Sequence, residues 1–319
     1  MKMVSRYRSA SLMYTLRNNK MTETKERDDK PQTAAKKKPK KKELFKWSRV
    51  FAVLFVLIMI WWFNNYTLRT TNVTLYSSKI KEPIRIAVIS DQHATKHGIS
   101  NKSICKRIKK NDPDAVMILG DMYTTDSPQE LRQIPIDLTA DIVKEGYPVF
   151  FVNGEHDTDR KYIEAQRKAG AHVMDYKSEK INIKGNDVCV YGIDNVYYSE
   201  TFNLFNEFQP DESCYNILLA HIPNYKKFEE FGADLTLCAD THGCMVQLPF
   251  DMGPVFYSDA GEWFPQFKDM EVYDKGTFDY KGGTMFITSG IGVSPLPIRF
   301  NNRPEVAIID VLPEKQAGK

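Results

Sequence analysis

The sequence predicts an α/β domain with a largely buried β-sheet, preceded by a single membrane-spanning helix. Short β-rich runs recur from about residue 80, and helical patterns separate the first several of them. An apolar stretch at 47–66 lies upstream of these runs and follows a lysine-rich segment. We therefore expect a basic disordered tail at 1–46, a membrane anchor at 47–66 and a globular domain at 67–319.

The tail differs in charge from the rest of the chain, although the net charge of the 319 residues is only +3. Residues 1–49 contain 16 Lys/Arg and 5 Asp/Glu, whereas the remaining residues contain the other 28 Lys/Arg and 36 Asp/Glu. The tail includes "KKKPKKK" and few large apolar residues, so it cannot bury enough surface to fold. A nucleic-acid-binding arm is one interpretation. A charged flank beside a membrane is favoured because an apolar stretch follows.

The apolar stretch has no charged or polar residue from Val50 to Phe63, and aromatic residues lie at both of its ends. With its flanks it reaches the roughly 20 residues that span a bilayer. A signal peptide is disfavoured because no small-residue cleavage site follows, and a buried helix is disfavoured because no polar face is present. The basic flank predicts a single-pass protein of the cell membrane, with a cytoplasmic N-terminus and an extracytoplasmic domain.

The remainder of the chain alternates β-rich and helical segments. Helical patterns begin near Ser100 and at "SPQE", where Ser127 is the predicted N-cap and Glu130 closes a capping box. Two more helices are predicted at about 159–168 and 223–231, each followed by a glycine. This alternation favours a sheet that is covered on both faces. The β-rich runs lie at 84–90, 115–120, 149–154, 188–193, 215–220, 234–239, 284–290 and 305–311.

Acids and imidazoles follow five of these runs directly, and the carboxyl ends of strands are where open α/β sheets build their sites. Four of the six histidines in the chain lie at these ends. One histidine after a strand is usually structural, but five strand ends with the same chemistry indicate a metal site, and the number of ligands indicates two ions. The residues are Asp91, His93, Asp121, Glu155, His156, Asp157, His221, Asp240 and His242.

The spacing of these residues resembles the calcineurin-like metallophosphoesterases, whose pattern is Asp-x-His, Gly-Asp, Gly-Asn-His-Asp, a lone His and Gly-His-x-His. The resemblance spans roughly 84–311. The run "SGIGVSPLPIRFNNRPEVAIIDV" also resembles the C-terminal signature of the membrane-anchored branch. The resemblance implies two packed β-sheets flanked by helices in an αββα arrangement. The matching segments are Asp91-x-His93, Gly120-Asp121, Gly154-Glu155-His156-Asp157, Ala220-His221 and Ala239-Asp240-Thr241-His242-Gly243.

The resemblance also implies a role for each residue. Asp91, His93 and His242 would hold one metal, and Asp121 would bridge both. Glu155, His221 and Asp240 would hold the second metal. His156 would protonate the leaving oxygen, and Asp157 could orient it. The implied reaction is attack on phosphorus by a hydroxide shared between the metals.

Two positions depart from the family pattern, and both belong to the second metal site. Glu155 replaces the usual Asn, and Asp240 replaces the first His of Gly-His-x-His. The site then has four carboxylates instead of two, which would neutralise two dications and weaken attraction for a phosphate dianion. The harder ligand set favours Mn, Mg or Ca over Zn at that position, and a trivalent ion such as Fe(III) would restore the positive charge.

These patterns predict a membrane-anchored hydrolase of a phosphodiester, phosphomonoester or pyrophosphate that uses two ions drawn from Mn, Fe, Mg and Zn. Its partners would be a phosphorylated small-molecule or lipid substrate and the membrane, with no nucleic acid. The alternative is a protein that keeps the fold but binds a phosphorylated or lipid ligand without turnover.

Two further groups of side chains have open roles at this stage. Arg299 and Arg303 could clamp phosphate or pair with an acid such as Glu305. Aromatic residues of the weakly periodic segment 250–283, which predicts long loops, could face lipid or cover the sheet edge. These are Phe250, Phe256, Tyr257, Trp263, Phe264 and Phe267.

Overall fold

The protein consists of a long N-terminal helix followed by two β-sheets with helices on their outer faces. The structure, a computed structural model, describes residues 41–194, 201–250, 252–257, 261–264, 272–293 and 296–314. Contacts divide the chain into two units after Val50, and the described part of the first unit comprises the opening turns of the long helix. Most of the predicted tail and Phe267 lie outside the described residues.

Five α-helices occur within the described ranges. The second begins where Ser100 accepts a hydrogen bond from the Ser103 amide, as an N-cap does. The third begins one residue later than predicted: its N-cap is Pro128, which makes no side-chain cap bond, so the predicted Ser127 cap is wrong. The helices are α1 (Lys41–Tyr66), α2 (Asn101–Asn111), α3 (Gln129–Lys144), α4 (Arg160–Lys168) and α5 (Tyr225–Phe231).

Helix α1 is the one helix in the described ranges that is long and apolar enough to cross a membrane, over Phe45–Tyr66. Side chains 45–63 are exposed, as lipid-facing residues of a single span would be. The helix begins at Lys41, before the predicted start at Trp47. Lys and Glu are good helix formers, so the helical pattern extends into the basic flank.

The strands form two six-stranded sheets among the described residues, in the orders β1-β14-β2-β3-β4-β5 and β12-β13-β9-β8-β7-β6. Strands β2 to β5 are parallel, as are β7, β8, β9 and β13. The strands are β1 (Arg69–Ser77), β2 (Ile84–Ile89), β3 (Ala115–Ile118), β4 (Val149–Phe151), β5 (His172–Val173), β6 (Lys177–Ile183), β7 (Asn186–Gly192), β8 (Tyr215–Leu219), β9 (Leu235–Cys238), β10 (Phe256–Tyr257), β11 (Glu262–Trp263), β12 (Gly276–Tyr280), β13 (Gly283–Ile287) and β14 (Glu305–Pro313).

The apolar core has three layers, which correspond to the αββα arrangement. The central layer joins the two sheets and includes Val88 of β2 and Ile217 of β8. A second layer packs α2, α3 and α4 on the outer face of the first sheet, with Ile104 as a buried contact. The third packs α5 on the second sheet through Phe228 and Phe231. Because both sheets are covered on both faces, their central strands are continuous apolar runs.

Each of the eight predicted β-rich runs contains a strand, and the two predicted sheets flanked by helices are confirmed. The prediction of long loops over 250–283 is wrong in part. Strand β12 lies within it, and β10 pairs with β11. Strands β10 and β11 have two residues each, both residues of β11 are exposed, and β12 has only one buried residue, so the hydrophobic signal of these strands is weak.

Candidate metal centre

The predicted site residues lie at one end of the molecule, where the carboxyl ends of strands from both sheets meet. Strands β2, β3 and β4 of the first sheet lead into Asp91, Asp121 and Glu155. Strands β8 and β9 of the second sheet lead into His221 and Asp240. Parallel strands direct their carboxyl ends to the same edge, so residues up to 151 positions apart in the sequence lie together.

Five of the seven predicted ligands have left-handed backbone conformations. Their φ angles range from +39° to +71°, where non-glycine residues are uncommon. Such conformations cost about 1–3 kcal/mol each and are concentrated at functional sites. The sharp turns direct these side chains away from their strands and into a common space. The five residues are Asp91, His93, Asp121, Asp240 and His242.

Two glycines let the ends of β3 and β4 approach each other. A Cβ atom on Gly154 would lie 2.1 Å from Oδ1 of Asp121, and one on Gly120 would lie 2.2 Å from the Gly154 amide nitrogen. Real Cβ contacts are never this short, so any other residue here would displace the Asp121 carboxylate. The glycines of the two motifs therefore position a predicted metal ligand.

The first cluster contains Asp91, His93 and His242, whose ligand atoms lie within 4.8 Å of one another. The Nε2 atoms of His93 and His242 are 3.2 Å apart, and Nε2 of His242 is 3.8 Å from Oδ1 of Asp91. Two imidazoles bound to one ion at about 2.05 Å would have their nitrogens about 2.9–3.4 Å apart. The cluster therefore fits a single metal ion.

The second cluster contains Asp121, Glu155 and Asp240, again within 4.8 Å, and His221 lies beside it. Nε2 of His221 is 3.4 Å from Oδ2 of Asp121 and 3.6 Å from Oδ1 of Asp240. Asp121 also lies with Asp91 and His221, and with His93 and His156, in two further groups of the same kind. Asp121 is thus placed between the clusters, as a bridging carboxylate requires.

Hydrogen bonds on the far side of the imidazoles leave their other nitrogens directed into the site. Nδ1 of His221 lies 2.6 Å from the carbonyl oxygen of Leu119, which can only accept, so Nδ1 carries a proton, and Nε2 is the nitrogen that would bind a metal when the ring is neutral. Nδ1 of His93 contacts the Thr124 hydroxyl at 3.1 Å. Among the described residues, both buried oxygens of Asp91 and Nε2 of His221 lack a hydrogen-bond partner. Orphaned atoms of this chemistry fit a bound cation.

The electrostatics of the site also fit bound cations. Burial raises the pKa of Asp91 to about 7. Burial alone would lower the pKa of His221, but Asp121 and Asp240 outweigh it and raise that pKa well above its usual range. Burial lowers the pKa of His93 to about 4, which keeps that imidazole neutral and able to bind metal. The carboxylates therefore stabilise positive charge between them.

The imidazole of His156 lies at the edge of the site, with Nε2 3.9 Å from Oδ2 of Asp121. The Thr125 amide donates to Nδ1 across 3.1 Å, and the Thr125 hydroxyl contacts the same atom at 2.7 Å. A backbone amide can only donate, so Nδ1 is the acceptor and Nε2 carries the proton in the neutral ring. The sequence analysis missed Thr125, because its contact joins loops 31 positions apart.

Asp157 does not have the predicted role of orienting His156. It is fully buried, and its carboxylate accepts hydrogen bonds from the amides of Met122 and Gly154, at 3.2 and 3.1 Å. Burial, followed by the charge of Asp121, raises the pKa of Asp157 to about 8. Asp157 thus connects the two loops that carry Asp121 and Glu155, and Thr125 holds the His156 ring.

The two arginines proposed as a phosphate clamp are engaged elsewhere. Arg299 is buried and donates to the carbonyls of Gly292, Ser289 and Asn302. Arg303 donates to Thr67 and lies over the ring of Phe63. The alternative of pairing with Glu305 also does not hold, because Glu305 pairs with Arg69 at 2.9 Å. A planar guanidinium satisfied by backbone carbonyls organises the loop and is not available to a ligand.

A cavity of about 640 Å³ opens onto the metal centre. Its lining includes predicted ligand side chains and His156, and it also includes six apolar side chains from Met245 to Trp263 and at Ile298. A cavity of this size accommodates a drug-sized molecule, which is much larger than a phosphate group. The six apolar side chains are Met245, Val246, Val255, Phe256, Trp263 and Ile298.

Comparison with known proteins identifies the family of the chain. A family model described as calcineurin-like phosphoesterase matches residues 84–244. The uncharacterized protein YpbG of Bacillus subtilis is 25% identical over 252 residues, which cover 76% of this chain and 86% of that protein. The uncharacterized metallophosphoesterase YkuE of the same organism is 24% identical over 262 residues, which cover 76% of this chain and 85% of that protein. Haemophilus influenzae NAD nucleotidase aligns with a TM-score of 0.41 and 15% identity, over 66% of this chain and 46% of that one.

Proposed function

Because the chain belongs to the calcineurin-like phosphoesterase family, we propose that it hydrolyses a phosphoric ester with two metal ions held by seven side chains. The family uses divalent metals, and the chain has Asp and His clusters that could bind them. One observation carries the proposal: ligand atoms from five strand ends of two sheets converge in clusters no wider than 4.8 Å. Asp91, His93 and His242 would hold one ion, Glu155, His221 and Asp240 the other, and Asp121 both.

Metal ions bound there would neutralise the phosphoryl oxygens and lower the pKa of bound water. The chain itself supplies position and proton transfer. The left-handed turns at Asp91 and Asp121 hold their carboxylates in place before substrate arrives. His156, with its proton on Nε2 and that atom facing the cavity, is placed to protonate the oxygen that leaves phosphorus.

Helix α1 would anchor this domain to the cell membrane, with the N-terminus in the cytoplasm. Two features support the anchor and its orientation. The helix is apolar and exposed over the length of a bilayer, and the segment before it carries most of the basic excess of the chain.

A second candidate is a ligand-binding protein without turnover. The observation that favours it is the second cluster, where Glu155 and Asp240 add two carboxylates beside Asp121. With Asp91 the site holds four carboxylates, which cancel the charge of two dications. A neutral centre attracts phosphate less strongly.

Metal-dependent hydrolysis separates the two candidates. The full chain, purified in detergent, would be assayed for bis(p-nitrophenyl) phosphate cleavage with Mn, Mg, Zn and Fe in turn. We expect turnover with at least one metal and a loss of about 100-fold in Asp91→Asn, since a metal ligand is removed while side-chain volume is kept. No turnover with any metal would favour the binding protein. Full activity in Asp91→Asn would contradict the site.

A further inference from the structure

The last turn of α1 is bound to residues 297–301. The Trp61 indole donates to the carbonyl oxygen of Pro297 across 2.7 Å. The carboxamides of Asn65 and Asn64 accept from the amides of Arg299 and Asn301, at 2.8 and 2.9 Å. Both asparagines are buried. The end of the apolar helix and this segment therefore form one rigid junction.

The same segment is also a wall of the catalytic cavity. Ile298, which lies between Pro297 and Arg299, lines the cavity. Phe300 forms a bridge with Val246, another residue of the cavity wall, and its amide donates to Met245. Along this segment, residues that contact the helix therefore alternate with residues that contact the cavity or its wall. If α1 crosses the bilayer, the mouth of the cavity lies at the membrane surface.

The chain segments that supply the apolar lining of the cavity also carry exposed apolar side chains. Six large apolar side chains there are 49–90% exposed, and we call them the apolar rim. Large apolar side chains exposed together on neighbouring segments commonly mark a surface that binds a membrane or a partner. Aromatic residues at the end of a transmembrane helix sit at the depth of the lipid headgroups, so the rim continues the interfacial surface of α1. The rim comprises Phe250, Trp263, Phe264, Leu296, Ile298 and Phe300.

Two of these side chains continue the rim into the cavity. Ile298 and Trp263 are exposed at the surface and also line the cavity that contains the metal-centre side chains, so the rim and the cavity share apolar side chains. The lining of the cavity therefore contains both carboxylates and imidazoles and aliphatic and aromatic groups. A phosphoric ester with a large apolar substituent matches both kinds of group.

We propose that the substrate is a membrane-resident lipid phosphoester, whose phosphoryl group reaches the metal centre while its apolar part stays against the rim. The proposal rests on the proposed function and names its substrate class. Four carboxylates reduce the attraction for phosphate, and apolar contact offsets this, because each buried methylene gives about a fourfold gain in affinity. In the reaction the oxygen of water forms a new bond to phosphorus and the bond to the leaving oxygen breaks. The leaving oxygen takes the proton from His156 Nε2, and one proton of the attacking water is released and returns the His156 ring to its neutral form, while the other stays on the new phosphate oxygen.

A matched pair of substrates tests the contribution of the apolar part of the substrate separately from that of the phosphoryl group. Methyl p-nitrophenyl phosphate and hexadecyl p-nitrophenyl phosphate have the same reacting bond and the same leaving group, and differ only in chain length. The full chain in phosphatidylcholine vesicles should cleave the hexadecyl ester with a kcat/KM about 100-fold higher. Equal values for the two esters would overturn the lipid substrate and leave the proposed function intact. Cleavage of neither ester with any metal would overturn both.

Variants of the rim, with a matched control, test whether the rim causes the preference for the hexadecyl ester. Phe250→Ser with Leu296→Ser removes two exposed rim residues outside the cavity lining, and it should lower the hexadecyl-to-methyl ratio about tenfold. Tyr76→Ser, at a side chain 61% exposed on β1, should leave the ratio unchanged. An unchanged ratio in the rim variant would overturn the proposal, and thermal unfolding midpoints would establish that each variant is folded.

A second measurement does not depend on turnover. An environment-sensitive fluorophore on Phe250→Cys should be quenched by brominated phosphatidylcholine, and one on Tyr76→Cys should not. The unsubstituted chain, taken through the same labelling, corrects for its five native cysteines. No quenching at position 250 would mean that the rim meets a protein partner or a second copy of the chain, and would overturn bilayer contact.

Discussion

The backbone amide of Thr125 lies 3.1 Å from Nδ1 of His156 and donates a hydrogen bond to it. This contact fixes the tautomer without involving an acid. The proton of the neutral ring is held on Nε2, on the side of the cavity and of Asp121. In the proposed reaction, the ability of His156 to donate this proton would therefore depend on the conformation of the loop that carries Thr125.

The role of His156 as proton donor predicts a dependence on the leaving group. In His156→Gln, hydrolysis of an alkyl ester should fall by about 100- to 10,000-fold, because an alkoxide leaves poorly without a proton. Hydrolysis of a p-nitrophenyl ester should fall much less, because that leaving group is stable as an anion. Steady-state rates for the two ester types, with metal content measured alongside, would check this. Equal losses for both would assign His156 to metal or substrate binding.

Restoring the family residues at the second cluster should change both rate and metal preference. Glu155→Asn with Asp240→His removes two negative charges, so phosphodiester hydrolysis with divalent ions should rise about tenfold and the preference should move towards Zn. The single variants should do less, because each leaves a mixed ligand set. An unchanged rate and metal content in the double variant would show that neither side chain touches metal. A fall in activity with a trivalent ion would show that the natural site is suited to a harder ion.

Asp157 should act on stability and only indirectly on chemistry. Asp157→Ala leaves the Met122 and Gly154 amides without their acceptor, which should lower the free energy of unfolding by about 1–3 kcal/mol. Chemical denaturation would measure the loss. A variant as stable as the natural chain but inactive would instead indicate direct participation in the reaction.

The lowered pKa of Glu305 predicts that part of the free energy of unfolding depends on pH. Burial alone would raise its pKa, but Arg69 and the hydrogen bond from Thr71 outweigh burial and lower the pKa below its usual value. Its contribution is then fully present above the unfolded pKa of about 4.3 and is lost as pH falls through the lower folded value. Glu305→Gln should lower the free energy of unfolding by about 2 kcal/mol at pH 7, with a smaller difference at pH 3. A difference that does not change with pH would contradict this linkage.

Orientation across the membrane can be read from thiol labelling. Tyr76→Cys places an exposed thiol just after α1 and should react with a membrane-impermeant reagent in intact cells. Ser11→Cys in the basic tail should react only after lysis. The reverse pattern would show the opposite orientation in the membrane. Labelling at both positions in intact cells would show that α1 does not separate the tail from the domain across a membrane.

The sequence predicted the elements whose apolar residues are buried on both faces. Runs such as Ile84–Ile89 and Tyr215–Leu219 are strongly hydrophobic, so their strands were evident. Strand β1 and strand β6 were missed because they are edge strands whose polar residues alternate with partly buried ones. Whether such a segment forms a strand depends on the neighbouring strand with which it pairs in the folded chain, and the local sequence does not show that neighbour.

The same limit applies to the site. The ligand types were recognisable because they follow strand ends in a known pattern. The partners of His156 and Asp157 were not recognisable, because both lie on loops that only the packing of β3 against β4 brings together. The left-handed turns at Asp91 and Asp121 also leave no mark in the sequence, since Asp adopts many loop conformations.

Anomalous diffraction from crystals of the full chain, grown with the metal that supports hydrolysis, would test the metal centre most directly. We predict two peaks, about 3.5–4 Å apart. One should lie among Asp91, His93 and His242, the other among Glu155, His221 and Asp240, with Asp121 touching both. A single peak, or peaks outside these side chains, would contradict a two-metal phosphoesterase site.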